Sequence, residues 1–161
     1  MKTLFCLLAI MMFNKECEQN KSATASDTAI HAEKTPDVTQ NVSIVSYEAT
    51  SRGFYQKIWI TKETMTITND RNHMVNTSVP TSENDWNELM GLLKDVNIEA
   101  LPTLEAPTSK RLYDGAAIAS LTVTQGKEET KSNSFDHGDP PKAIEVVVNK
   151  VLSMNKMHEK N

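Results

Sequence analysis

Short alternations of hydrophobic and polar residues follow one another from residue 42 to residue 79. They predict four strands, at Val42 to Thr50, Phe54 to Thr61, Thr64 to Asn69 and Met74 to Val79. The second strand divides into two faces, which are Phe54, Ile58 and Ile60 on one side and Tyr55, Lys57 and Trp59 on the other. One face should join a core. On an uncovered face, Tyr55 and Trp59 would mark a binding surface.

The pattern changes from alternation to helical spacing after Pro80. Ser82 and Asp85 resemble a capping box, and large apolar residues then recur at helical spacing: Trp86, Leu89, Met90, Leu93 and Val96. This predicts a helix that covers one face of the sheet. A loop marked by Pro102 and Pro107 follows it.

Two strands and a second helix are predicted in the last third of the chain. The strands are Ala117 to Gln125 and a charged, solvated edge strand at Glu128 to Phe135, joined by a turn at Gly126. Asp139 should cap the helix, with Pro140 at its first position. The order ββββαββα predicts an α+β fold, an antiparallel sheet of about six strands with two helices packed on one face.

The N-terminus has the pattern of an export signal. Lys2 precedes an uninterrupted apolar run from Leu4 to Phe13, which is about half of what a membrane span requires. Residues 1–16 are therefore interpreted as the signal and residues 17–40, which are polar, as a flexible tether. Residues 41–157 form the predicted single domain, and residues 158–161 a polar tail.

Cys17 is a candidate for lipidation because it lies directly behind the apolar run and opens the polar tether. Asn14, Lys15 and Glu16 precede it, whereas lipoprotein signals place small residues there. A lipid would tether the protein to a membrane of the cell envelope, at the outer membrane or in the periplasm. Without it, the chain would be secreted, would keep an uncleaved signal anchor, or would carry Cys17 as an incidental thiol.

Composition excludes several classes of function. The net charge is −4 with no stripe of Lys or Arg, so nucleic acid is not expected as a partner. The two cysteines, Cys6 and Cys17, precede the predicted domain, which therefore has no thiol for a disulfide or a thiolate metal site. The five glycines are too widely spaced for nucleotide-binding loops or a nucleophile elbow. No cofactor is expected.

Two polar clusters are the candidates for a site. Asp136 and His137 lie at the junction between the last strand and the last helix, and Arg111, Tyr113 and Asp114 precede Gly115. The two clusters could meet, either as a structural Arg111–Asp136 ion pair with His137 exposed, or as a general-base or zinc site. The structural interpretation is preferred because neighbouring residues in one turn seldom supply a complete set of metal ligands. No catalytic residue or metal ligand is therefore assigned.

Four short motifs between about Tyr47 and Leu152 resemble small, functionally uncharacterised exported proteins and lipoproteins of the Bacteroidetes type. They are Arg52-Gly53-Phe54, the Trp86-x-x-Leu89 helix that runs to Leu101-Pro102, Tyr113-Asp114-Gly115, and Phe135-Asp136-His137-Gly138. The resemblance implies a place in the cell envelope and no particular chemistry.

The sequence therefore favours a binding or interaction module with an unknown protein or small-molecule ligand. The alternative is a small hydrolase or metal-dependent enzyme that uses Asp136, His137 and Asp114.

Overall fold

An antiparallel sheet backed by two helices forms the core of the protein. The computed structural model describes residue 39 and residues 41–158. The strands are β1 (Val42–Ser51), β2 (Phe54–Ile60), β3 (Thr64–Thr68), β4 (Thr77–Pro80), β5 (Ile118–Gln125), β6 (Glu128–Lys131) and β7 (Phe135–Asp136). The helices are α1 (Glu83–Leu93) and α2 (Glu145–His158). The predicted α+β class and antiparallel sheet are confirmed, with seven strands in the described residues rather than about six.

The strands lie in the order β4-β3-β2-β1-β5-β6, and β7 pairs with β5 beyond the end of β6. β1 therefore occupies the centre, with β2 and β5 on its two sides. Alternate residues of these three strands form one fully buried layer, whose members are Val45, Tyr47, Ala49, Ile58, Ile60, Ala119, Leu121 and Val123. Both helices pack on this layer through a stripe consisting of Trp86, Leu89, Leu93, Val147, Val148 and Val151.

Local contacts explain where the elements of the first half begin and end. The predicted turn between β2 and β3 is closed by the amide of Thr61, which donates to the Thr64 carbonyl at 2.8 Å. Ser82 caps α1 as expected, since its hydroxyl accepts from the Asp85 amide at 3.0 Å. α1 ends at Leu93 rather than reaching Val96, although Val96 is still buried in the core.

The predicted single edge strand from residue 128 to residue 135 is wrong in one respect, because it is divided into β6 and β7. Ser132 lies between them and is buried. Its hydroxyl accepts from the Leu121 amide at 3.0 Å, and its own amide donates to the Leu121 carbonyl at 2.8 Å. The Ser132 hydroxyl thus replaces a backbone carbonyl as the acceptor for the Leu121 amide, and the strand is interrupted at Ser132.

The predicted start of the last helix is also wrong. Asp139 does not cap it, because a short 3-10 helix (Lys142–Ile144) precedes α2 and the residue before that turn is Pro141, which makes no side-chain cap. The carboxylate of Asp139 instead lies 2.8 Å from the Thr108 hydroxyl, whose single hydrogen it shares with the nearer carboxylate of Asp136 at 2.6 Å. A loop that is distant in sequence therefore takes the group that the local pattern assigned to the helix.

α2 includes His158, the first residue of the predicted tail. The predicted export signal, Cys17 and the tether up to residue 38 lie outside the described residues. In the part of the chain that the structure describes, the helices are too short or too polar to cross a membrane.

Candidate functional site

The carboxylate of Asp136 is the centre of the predicted polar site, and the fold occupies both of its oxygens. Its Oδ2 accepts from the Thr108 hydroxyl at 2.6 Å and the Lys110 amide at 2.7 Å. Its Oδ1 accepts from the Arg111 amide at 2.9 Å and from Arg111 Nη1 at 3.1 Å. The expected Arg111–Asp136 ion pair is therefore present, and it anchors a 3-10 helix (Lys110–Tyr113) against β7.

The environment of Asp136 keeps it ionised. Burial of its side chain, which is 1% exposed, raises the pKa of the carboxyl group. The hydrogen bonds from Thr108, Arg111 and Lys110 lower it by more, so the pKa of Asp136 is held well below its ordinary value. A carboxylate with a strongly lowered pKa and four donors is a weak base, and its arrangement is typical of a structural anchor.

His137 is half-buried, which corrects the expectation that it is exposed. Its Nδ1 lies 2.7 Å from the hydroxyl of Tyr47, a fully buried residue of β1, and the Phe54 ring lies 5.4 Å from the imidazole between centroids. Burial, followed by the charge of Lys156, lowers the pKa of His137. Burial also raises the pKa of Tyr47, so both groups remain neutral near pH 7.

Tyr113 and Asp114 stand apart from these two anchors. Tyr113 is 69% exposed, and Asp114 ends the 3-10 helix with a left-handed φ of 60°. Neither side chain has a described hydrogen bond or ion pair with Asp136 or His137. Of the five predicted site residues, the structure thus joins Arg111 and Asp136, places His137 beside them on a separate partner, and leaves the other two exposed.

No group of three or more His, Cys, Asp or Glu side chains within residues 41–158 is arranged to hold a metal ion. This finding concerns only the described residues. It matches the geometry around Asp136, whose nearest partners are a hydroxyl, two amides and a guanidinium.

A second polar cluster lies on the face of the sheet opposite the helices, where the sequence predicted that Tyr55 and Trp59 would mark a binding surface but gave no role to His73. It is called here the aromatic cluster and consists of Tyr55, Trp59 and His73. His73 belongs to the loop between β3 and β4, and its Nε2 lies 2.7 Å from the Tyr55 hydroxyl. Its ring also meets the Trp59 ring edge-on at 5.2 Å between centroids.

Glu48 and Lys57 complete the surroundings of the aromatic cluster. The Tyr55 hydroxyl donates to Glu48 at 3.1 Å, and Lys57 Nζ lies 5.0 Å above the centre of the Trp59 ring. Burial, followed by the hydrogen bond to Glu48, raises the pKa of Tyr55 to about 12. The expected uncovered aromatic face therefore exists, but a loop lies across part of it and leaves both rings half-buried.

Arg71 fastens that loop to the turn between β1 and β2. One guanidinium nitrogen, Nη1, donates to the Thr50 hydroxyl at 2.7 Å, and Nη2 donates to the carbonyls of Ser51 and Phe54. The loop is shaped by Asp70, whose carboxylate accepts from the amides of Asn72 at 3.0 Å and Met74 at 2.8 Å. These amide bonds lower the pKa of Asp70, so it stays ionised.

A sequence signal for this loop exists in the polar run Asn69 to His73. It precedes the predicted fourth strand, which begins at Thr77 rather than Met74. Local sequence patterns could not predict the contacts of this run, because its partners are 17 to 21 residues away at the β1–β2 turn.

No protein-family model matches the chain, and no curated protein sequence is significantly similar to it.

Proposed function

We propose that this protein is a non-enzymatic binding module of a bacterial cell envelope. In this proposal residues 1–16 direct export, and a lipid on Cys17 tethers the chain to a membrane through residues 17–40. The support for this address is the apolar run from Leu4 to Phe13, the polar segment behind it and the position of Cys17 between them.

The observation that carries the binding role is the sheet face opposite the helices. Strand pairing places the half-buried Trp59 beside Ser46 and Thr66, and Thr66 beside Ser78. This row of hydroxyls ends at the exposed β4, while Tyr55 and Trp59 provide rigid aromatic surface. Aromatic side chains beside small hydroxyl-bearing ones are typical of binding surfaces, since they combine contact area with adaptable hydrogen bonding.

The junction between β7 and the last helix, which contains Asp136 and His137 and is called the Asp136 junction, also supports a non-enzymatic role. A general base must reach the proton that it removes. The two carboxylate oxygens of Asp136 already accept four hydrogen bonds, and His137 Nδ1 is engaged by Tyr47. These contacts serve the fold and so support a structural role for the junction.

Site-specific photo-cross-linking in the native host tests the binding role. A benzophenone amino acid replaces Ser78 on the sheet face opposite the helices, which is called the open face. In a matched variant it replaces Asn87, which is exposed on α1 on the helical side. We expect a defined adduct at position 78 and none at position 87. Equal labelling at both positions, or labelling only at position 87, contradicts the assignment of the open face.

Metabolic labelling with an alkyne fatty acid tests the address. The wild-type chain should carry the label, and Cys17→Ala should not. Cys6→Ala is the matched control and should remain labelled, because Cys6 lies inside the apolar run of the signal. Equal labelling of wild type and Cys17→Ala, or no labelling of either, would remove the lipid tether from the proposal.

A further inference from the structure

We propose that a cleft between the β1–β2 turn and the β3–β4 loop binds the oxyanion group, carboxylate or phosphate, of a small ligand. This inference rests on the proposed binding function and names the chemistry of its ligand. The cleft lies at the end of the open face where Arg71 and Tyr55 meet.

The cleft has a volume of about 340 Å³. Its lining includes Arg52 and Tyr55 from the β1–β2 turn and the start of β2, and Asn69, Arg71 and Asn72 from the β3–β4 loop. This volume is at the lower end of the range for small-molecule sites, which span roughly 300 to 1,000 Å³.

Arg71 brings a fixed positive charge to this cleft. Its three described acceptors, the Thr50 hydroxyl and the carbonyls of Ser51 and Phe54, are all neutral. A guanidinium has five N–H donors, so Nε and one hydrogen of Nη1 remain without a partner among the described residues. Because the other bonds and the Tyr55 ring already hold the group in place, an incoming anion need not order it.

Arg52 supplies a second positive charge at the rim. Its side chain is exposed, and within residues 41–158 no hydrogen bond or ion pair engages it. By contrast, Arg111 is paired with a buried carboxylate. Arg52 therefore contributes no described contact to the fold, and its charge is available to a ligand.

Among the described residues, Asp70 is the one carboxylate that lines the same cleft. Its oxygens accept from the amides of Asn72 and Met74, which belong to its own loop. Two guanidinium groups thus face one carboxylate that is already hydrogen-bonded, which leaves the cleft with a positive balance on a protein of net charge −4.

The ligand chemistry follows from the guanidinium group. Its planar, forked N–H donors match the oxygens of carboxylates and phosphates, and charge-assisted hydrogen bonds of this kind are about twice as strong as neutral ones. The side-chain amides of Asn69 and Asn72, for which the described residues provide no hydrogen-bond partner, add donors that a neutral portion of the ligand can use.

The experiment is an NMR titration of the full chain, labelled with 15N and held in neutral detergent micelles at constant ionic strength. Inorganic phosphate and glucuronate are the two oxyanion probes, and glucose is the neutral control. We expect saturable shifts of the Arg52, Gly53 and Asn72 amides with at least one anion, with a Kd on the order of 1 mM. Which anion binds decides between phosphate and carboxylate, and glucose should cause no such shifts.

Two variants with the same change of charge make the titration specific. Arg52→Gln should weaken anion binding about tenfold, as expected for losing a charged partner worth roughly 1.4 kcal/mol. Lys62→Gln, in the exposed turn at the other end of β2, should change it by less than about twofold. No shift with either anion, or equal weakening by both variants, would overturn the inference. Cross-links at position 78 would still support the binding role in that event, so the two proposals can fail separately.

Discussion

The Asp136 junction and the Arg71 loop are built from the same kinds of residue and differ in what surrounds them. In each, an arginine fastens its own segment to one that is distant in sequence, and a histidine nitrogen lies 2.7 Å from a tyrosine hydroxyl. At the junction the arginine meets a buried carboxylate and the tyrosine is fully buried. At the loop the arginine meets three neutral oxygens, and the aromatic rings are half-exposed.

This difference separates a structural anchor from a candidate binding site. A buried charge requires an opposite charge and a full set of hydrogen bonds, since an unpaired ion is costly away from water. A charge at the surface is solvated and can remain unpaired until a ligand arrives. Residue types alone therefore do not distinguish the two regions, whereas burial and partners do.

The largest expected effect is that of Asp136→Ala. It leaves the Arg111 guanidinium, which is 14% exposed, without its carboxylate, and it removes the acceptor of two amides. The melting temperature of the full chain, followed by circular dichroism, should fall several times further than in Asp70→Ala, which changes an exposed loop. Similar losses in both variants would show that the two regions do not differ as argued.

Replacing each of the two tryptophans compares the sheet face that the helices cover with the open face. Trp86 is 8% exposed in the core, and Trp86→Ala should cost about 3 to 5 kcal/mol of unfolding free energy. Trp59→Ala on the open face should cost about 1 kcal/mol, mainly through lost contact with His73. Urea unfolding measures both. A cost under about 1 kcal/mol for Trp86→Ala would place that side chain outside the core.

Removing the hydroxyl of Tyr47 or of Tyr55 compares the buried junction with the half-exposed open face. Tyr47→Phe removes the partner of His137 in a buried setting and should cost about 1 to 2 kcal/mol. Tyr55→Phe should change the unfolding free energy by less than about 0.5 kcal/mol, because water can replace the lost bonds. Equal costs in urea unfolding would argue against the difference in burial between the two hydroxyls.

The dependence of stability on pH sharpens the account of the junction. His137 has a lowered pKa when folded, so stability should decrease as the pH falls below roughly 6.5, its unfolded value. Asp136 also has a lowered pKa, and its contribution is complete above roughly pH 4 and lost as the pH falls toward the folded value. Urea midpoints from pH 8 to pH 3 should show both losses. His137→Gln should reduce the loss of stability below roughly pH 6.5, and Asp136→Asn should reduce the loss below roughly pH 4.

Periodicity predicted the sheet and the core well because alternation and helical spacing report which side of an element is buried. Trp86, Leu89 and Leu93 lie in the core as expected, and Tyr55 and Trp59 lie on the face away from the helices. Local rules also placed the Ser82 cap, since capping involves residues only three apart.

Contacts between distant segments could not be predicted in the same way. Asp139 has the local pattern of a helix cap, yet its carboxylate meets Thr108, 31 residues earlier. The Arg71 contacts with the β1–β2 turn likewise depend on the path of a loop across the sheet. Segments that are remote in sequence thus supply the contacts of both polar regions, and of these contacts the sequence predicts only the Arg111–Asp136 pair.

A zinc soak of crystals of the full chain tests the central claim most directly, since anomalous scattering locates a bound ion without regard to sequence. The account predicts no ordered zinc at the junction, with Asp136 still hydrogen-bonded to Thr108, Lys110 and Arg111, and with Asp114 exposed and apart. A zinc ion held within about 3 Å by His137, Asp136 and Asp114 together would contradict it and favour the enzyme alternative.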